Sequence, residues 1–477
     1  MTTPTALELR ERLRTGEVSS RELVERSLAA AQAQESLGAF VSVEPELALA
    51  EADEAERLLR RTPPGERGSL PPLLGVPTAH KDLVAVRGFI TTHGSAAVPH
   101  TRADSDDPVA ATVRAAGAIC IGKTQVPEFG IAGYSENLIA APARNPRDPS
   151  LTAGGSSGGT AAALASGVLP AAIGSDAGGS IRIPSGACGL IGLKPGRGRV
   201  PADRAGAEPT SRNGSTPDTM VDEIGAPRMG VSGPMARTTL DAALYFDALV
   251  GDAAESALAA VRRCHELHGL RVGISFASPF ESHLEIEFDD AARDAVARAA
   301  RVLEAAGHRV EDADIDYGDE YPEAFTTVWT QALRRVPLDQ DAEARLGELA
   351  RWFLEGARRA GDARVAAAVQ VLHRLSRDFA RQWGRFDVVL TPALAFAPPE
   401  IGAFWARGPE GDYRLQCEWA PQTSVVNVVG NPAITVPILT DQGGLPRGVQ
   451  LIGGMGQELQ LLQLAGQLTG TAHPSSS

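Results

Sequence analysis

Two serine-bearing glycine turns bracket one short apolar run. The first reads Gly154-Gly155-Ser156-Ser157-Gly158-Gly159, and the second Gly174-Ser175-Asp176-Ala177-Gly178-Gly179-Ser180-Ile181-Arg182. Glycine lets a backbone come close to a ligand and adopt positive φ. A serine on such a turn can present its hydroxyl to a substrate, and the N–H groups beside it stay free to bind an oxyanion. The chemistry these residues could do is acyl transfer through serine. A flexible linker would stay polar throughout, whereas the stretch between these turns is rich in Ala and Leu.

A serine hydroxyl is a poor nucleophile until a base takes its proton. None of the nine histidines stands in a Ser-His-Asp context; His80 sits beside Lys81, and His93 and His100 fall in a loop. A neutral lysine can do the same work if burial or positive potential lowers its pKa from about 10.4. Lys81 follows the apolar run 73–76, a setting that can desolvate it.

Two other patterns suggest different chemistry. Gly117-Ala118-Ile119-Cys120-Ile121-Gly122-Lys123-Thr124 fits the P-loop pattern of nucleotide-binding proteins. Its middle is strand-like, however, and Gln125-Val126-Pro127 breaks a helix rather than starting one. Cys264, His265 and His268 could ligate a metal, but no second cluster completes a coordination shell. Arg262 and Arg263 beside them read as an exposed helix face. The sequence therefore implies no metal and no cofactor. Aromatic residues line pockets as well as cores. Among Trp329, Phe404, Trp405 and Trp419, we take Trp329 and Trp419, with Asn427, as acyl-pocket candidates. Cys188 reads as a packed small side chain.

The elements that must position these residues alternate between strand and helix. Ser19 and Glu22 have the spacing of a capping box, and Leu23, Val24, Leu28 and Ala31 repeat at helical period. Residues 5–60 thus read as two or three helices, and 61–72 as a Pro/Gly-rich linker. Helices are expected at 108–117 and 159–166, and strands at 118–121, 169–173 and 189–193. Residues 200–230 read as a surface loop. The 236–385 stretch reads as mostly helical with one strand at 270–276. Strands at 387–391, 433–437 and 448–452 precede a closing helix from Gln457. Such alternation predicts α/β units around a buried sheet.

The totals set bounds. A chain of 477 residues with 43% apolar and 22% charged residues can build a sizeable core. A net charge of −14 opposes non-specific nucleic-acid binding. Cys120, Cys188, Cys264 and Cys417 form neither a Cys-x-x-Cys pair nor a dense framework, which fits a reducing compartment. Residues 1–16 carry Glu8, Arg10, Glu11, Arg12 and Arg14 without an apolar core, unlike a signal peptide. No uncharged apolar window reaches membrane-spanning length. A cytoplasmic protein without a membrane partner is expected, and a homo-oligomer stays open.

Several of these motifs together resemble the amidase signature family. The resemblance runs through Lys81-Asp82-Leu83, Gly122-Lys123-Thr124 to Gly130, Asn145-Pro146, both glycine turns, and Gly192-Leu193-Lys194-Pro195. It continues in Thr391-Pro392, Asn427, Gly430-Asn431-Pro432-Ala433 and Gly448-Val449-Gln450. It implies a single large α/β domain with a mixed central sheet and helices on both faces. The domain would span 66–470, with core 66–200 and 386–470 around a variable, largely helical 201–385. A helical lead-in (1–65) would precede it and a disordered tail (471–477) would follow. It further implies a Ser–cis-Ser–Lys triad: Ser180 the nucleophile, Ser156 the proton relay, Lys81 the base. Backbone N–H groups of Ala177, Gly178, Gly179 and Ser180 would form the oxyanion hole. Asp176 and Arg182 would shape the turn, and Ser157 and Ser175 would add hydrogen bonds. The implied reaction is hydrolysis of a small-molecule amide. One rival is the glutaminase subunit of a tRNA-dependent amidotransferase. Such subunits usually carry Gln after the arginine of the nucleophile turn, where this chain has Ile183. The other rival is a nucleotide-binding protein using the 117–124 loop.

Overall fold

The computed structural model describes residues 3–204, 220–251 and 254–470. The expected tail 471–477 and much of the expected 200–230 loop lie outside the described residues. An 11-stranded mixed sheet organises the molecule. In spatial order its strands are Phe40–Val43, Ile119–Thr124, Pro77–Lys81, Ala171–Asp176, Val231–Ala236, Ile191–Lys194, Ala433–Thr440, Pro446–Gly453, Val388–Pro392, Arg271–Ile274 and Arg309–Asp312. Pro77–Lys81 runs parallel to both Ile119–Thr124 and Ala171–Asp176. The middle of the sheet, from Ala171–Asp176 to Val388–Pro392, is antiparallel throughout. Arg271–Ile274 then returns to parallel pairing with both its neighbours.

Side chains alternate across the sheet with the period of two that a strand imposes. Ala171, Ile173, Ile434, Val436, Val449 and Leu451 join one buried cluster with the helices Thr239–Val250 and Glu458–Leu468. Ala172 faces the opposite core, formed with Gly158–Ala165 and Arg182–Cys188. Ala433, Val389 and Ile452 point into a third cluster rich in aromatic residues. Helices therefore cover both faces, as expected.

Local signals explain the N-terminal helices. Ser19 caps Ser20–Ala33 with a full capping box to Glu22, and Thr5 and Glu8 do the same for Ala6–Thr15. The lead-in is not wholly helical, because Phe40–Val43 supplies an edge strand to the sheet. Among the described residues of 236–385 there are two strands, Arg271–Ile274 and Arg309–Asp312, where one was expected, and Val231–Ala236 adds another just before them. Val231–Ala236 contains Gly233 and Pro234, which argue against an interior strand. It is tolerated because pairing with Ile191–Lys194 covers only Met235 and Ala236. The glycine is required there, since a Cβ on Gly233 would lie 2.1 Å from the Leu193 carbonyl oxygen.

Candidate active site

Lys81 ends its strand, and Ser175 lies near the end of the adjacent parallel strand, so both side chains reach the same edge of the sheet. Crevices beyond the carboxyl ends of parallel strands are where α/β proteins place ligands. The first glycine turn leads into the helix Gly158–Ala165 and carries Ser156 on a cis Gly155–Ser156 peptide. Gly155 packs against the Tyr134 backbone, where a Cβ would meet main-chain atoms at 2.6 Å. The Ser135 hydroxyl accepts from Gly158 N–H at 3.1 Å and donates to the Ser156 carbonyl at 3.4 Å. The second turn links the Ser175 strand to the helix Arg182–Cys188 and carries Ser180.

These elements bring the predicted triad to one cavity, lined by Lys81, Ser156, Ser175, Ala177 and Ser180. Lys81 Nζ lies 2.6 Å from Ser156 Oγ and donates to Ser175 Oγ at 3.0 Å. Lys81 is 2% exposed, Ser156 1% and Ser180 8%. Burial pushes the Lys81 amine down to about 7, against the opposing pull of Asp176. At neutral pH a large share of such an amine is uncharged and can accept a proton. Ser157 donates to the Ser175 carbonyl at 3.4 Å, and its N–H donates to the Ser180 carbonyl at 3.2 Å, tying the two turns together.

The second turn is held by its own carboxylate. Asp176 accepts from the amides of Gly179 at 2.8 Å and Ile181 at 3.1 Å. The Gly179 N–H is thereby committed to Asp176. The amides of Ala177, Gly178 and Ser180 have no acceptor among the described residues. Gly179 has φ 129°, and a Cβ there would lie 2.5 Å from Thr423 Oγ1. Thr423 Oγ1 in turn donates to the Gly178 carbonyl at 2.7 Å.

Arg182 and Asp176 form a fully buried pair, with Nη2 to Oδ1 at 2.9 Å and Nε to Oδ2 at 3.0 Å. Burial raises the Asp176 pKa, but Arg182, Lys194 and Asn427 together hold the carboxyl below the usual carboxylate range. Arg182 also donates to the Thr423 carbonyl at 2.9 Å and to Gln450 Oε1 at 2.6 Å. Arg182→Met would strand a buried carboxylate. It is expected to cost about 3–5 kcal/mol, read as a lower midpoint in urea unfolding. A change below about 1 kcal/mol would contradict the turn-holding role, since breaking such a pair is rarely cheap.

The acyl-pocket candidates separate. Trp329 borders Ser180 and lies over Gly178, where a Cβ would be 3.3 Å from its indole. Trp419 does not line the cavity; it is fully buried, donates to the Phe396 carbonyl at 3.1 Å and packs with Phe404. Asn427 is also placed elsewhere: it donates to Asp176 at 2.9 Å and accepts from Arg182 at 2.5 Å, so it braces the turn from behind. Residues not singled out from the sequence complete the lining, notably Ile131, Phe325, Tyr413 and Thr423. They come from four distant segments and carry no local motif.

The P-loop-like segment is built into the sheet. Ile119–Thr124 is an interior strand, and Lys123 is fully buried, with Nζ 3.1 Å from Asp82 and 2.8 Å from Thr91 Oγ1. Cys264 is buried, and among the described residues no group of three or more His, Cys, Asp or Glu gathers at metal-binding spacing. No helix of the described residues is long and apolar enough to cross a membrane.

A family model described as Amidase matches residues 22–462. The chain is 38% identical over 438 residues to "Putative amidase AmiB2" of Mycobacterium tuberculosis, covering 91% of this chain and 88% of that protein. It is 34% identical over 499 residues to a glutamyl-tRNA(Gln) amidotransferase subunit from a Synechococcus species, covering 96% and 95%. Among solved structures, 6-aminohexanoate cyclic dimer hydrolase superposes with a TM-score of 0.83 at 29% identity, covering 98% of this chain and 96% of that chain.

Proposed function

The chain belongs to the amidase signature family and is an amide hydrolase, and from that premise we propose that Ser180 is its nucleophile, Ser156 its proton relay and Lys81 its base. The 2.6 Å approach of Lys81 Nζ to Ser156 Oγ, beside Ser180 in one cavity, carries this reading. Neutral Lys81 takes a proton through Ser156 as Ser180 Oγ attacks the amide carbonyl. The developing oxyanion accepts hydrogen bonds from the free amides of Ala177, Gly178 and Ser180; each such donor is worth about 3–4 kcal/mol in the transition state. Ser156 then returns a proton to the departing nitrogen as the carbon–nitrogen bond breaks. Water, deprotonated through the same relay, attacks the ester on Ser180 and releases the acid.

Release of ammonia or amine from a panel of simple amides, with neither partner proteins nor ATP, tests this reading. Turnover of glutamine alone, and only with partner proteins added, would favour the amidotransferase role instead. Ile183 argues against that alternative, because it lines the cavity beside Ser180 with an apolar side chain that offers an amide substrate no hydrogen bond. Trp329→Ala should raise KM about ten-fold for amides with large apolar acyl groups, since filling such a pocket is worth roughly 1–3 kcal/mol. Acetamide should respond less. An equal effect on both substrates would remove Trp329 from acyl recognition.

A further inference from the structure

We propose that the preferred substrates are amides whose acyl part is apolar and whose leaving amine carries a carboxylate, bound by Arg228. This rests on the triad assignment above. The cavity has two lobes that meet at Ser180 and share Gly130, Ile131 and Trp329. The inner lobe, with Ile183, Phe280, Phe325 and Tyr413, contains no charged side chain. The outer lobe contains Lys81, Ser156, Asp222, Arg228 and Arg335. The departing nitrogen receives its proton from Ser156, which lines only the outer lobe. The amine must therefore leave through the outer lobe, and the acyl group must sit in the inner one.

The charges of the outer lobe do not balance. Arg335 is paired, with Asp222 at 3.4 Å and Glu223 at 3.6 Å. Asp222 spends its other oxygen on the amides of Ile224 and Ala226, at 3.0 and 2.9 Å. Arg228 is fixed by its backbone, which donates to the Met220 carbonyl at 3.0 Å and accepts from Arg197 Nε at 2.5 Å. Its guanidinium makes no hydrogen bond or ion pair with any described residue. Asp203 feels its charge, but the Asp203 oxygens accept from Ser232 N–H and Oγ at 2.8 and 2.7 Å. Of the two guanidiniums lining the outer lobe, Arg335 is the one that engages its carboxylate, Asp222, and Arg228 is left without a partner among the described residues. An unpaired guanidinium in a partly enclosed cavity is a bidentate site for a carboxylate. N-acylated amino carboxylates have the required polarity, apolar at one end and anionic at the other.

The test uses N-benzoyl derivatives of glycine, β-alanine and 4-aminobutanoate, each beside an N-alkylbenzamide of equal length. The native enzyme should show at least ten-fold higher kcat/KM for the best carboxylate than for its neutral counterpart. Arg228→Gln should lower that ratio at least ten-fold, chiefly through KM, and Arg228→Lys should restore part of it. Because the readout is a ratio within one protein, a partly unfolded variant does not mimic it. Equal turnover of both series, hydrolysis of neutral amides only, or a carboxylate preference that survives Arg228→Gln would overturn the anion site and leave the triad standing. No hydrolysis of any amide would overturn both.

Discussion

Ser180→Ala should reduce kcat for every amide in the panel by about 10⁴-fold or more, the scale of losing a serine nucleophile. The residual rate would come from the amides of the turn and from substrate binding. Stability should hold. Ser180 faces the cavity, and its hydroxyl makes no hydrogen bond to a described residue, so its removal orphans no buried partner. The melting temperature should shift by no more than about 1–2 °C, since a change below about 1 kcal/mol moves the midpoint little in a chain of this size. A variant that retains more than a hundredth of native kcat would exclude Ser180 as the nucleophile. The neighbouring hydroxyls are engaged: Ser156 and Ser175 by the lysine, Thr423 by the Gly178 carbonyl and Ser424 by Tyr321.

Lys81→Met should cost nearly as much, and the Lys81→Met/Ser180→Ala double variant should be little worse than either single one. Groups that act as one catalytic unit are not additive. The pH profile carries the same claim with a definite sign. The amine works when neutral, and its pKa in the fold is lowered to about 7 from 10.5. Below pH 7 the protonated form dominates, so kcat/KM should rise about ten-fold per pH unit and level off above about 7. A lysine in water would keep the rate climbing to about pH 10. A profile flat down to pH 4 would show that no such amine takes the proton.

The two glycine turns were legible because their hydrogen bonding is local. Ser175, Asp176, Gly179 and Ser180 lie close together in sequence, and the Asp176 carboxylate closes the turn on amides only three and five residues ahead. Lys81 was legible because an apolar run places it inside the sheet. The proposed division between an attacking and a relaying serine comes from the family resemblance and not from the residue types. The pocket was not legible in the same way. A tryptophan in a sequence looks the same whether it faces a cavity, as Trp329 does, or fills a core, as Trp419 does. Asn427 acts on a turn 245 positions away, and no local pattern announces that partnership. The interior strand Val231–Ala236 was hidden by Gly233 and Pro234, residues whose tolerance depends on where the neighbouring ladder begins. The P-loop-like segment is the converse case: its pattern is complete, but its lysine is paired with Asp82 inside the sheet.

Rapid-quench mass spectrometry with a slowly hydrolysed anilide probes the proton relay at its point of action. The acyl mass should appear on the peptide bearing Ser180, its rate of formation should rise with pH through about 7, and Lys81→Met protein should acquire almost none. Acylation of a different residue, or undiminished labelling of Ser180 in Lys81→Met protein, would contradict the lysine-driven relay.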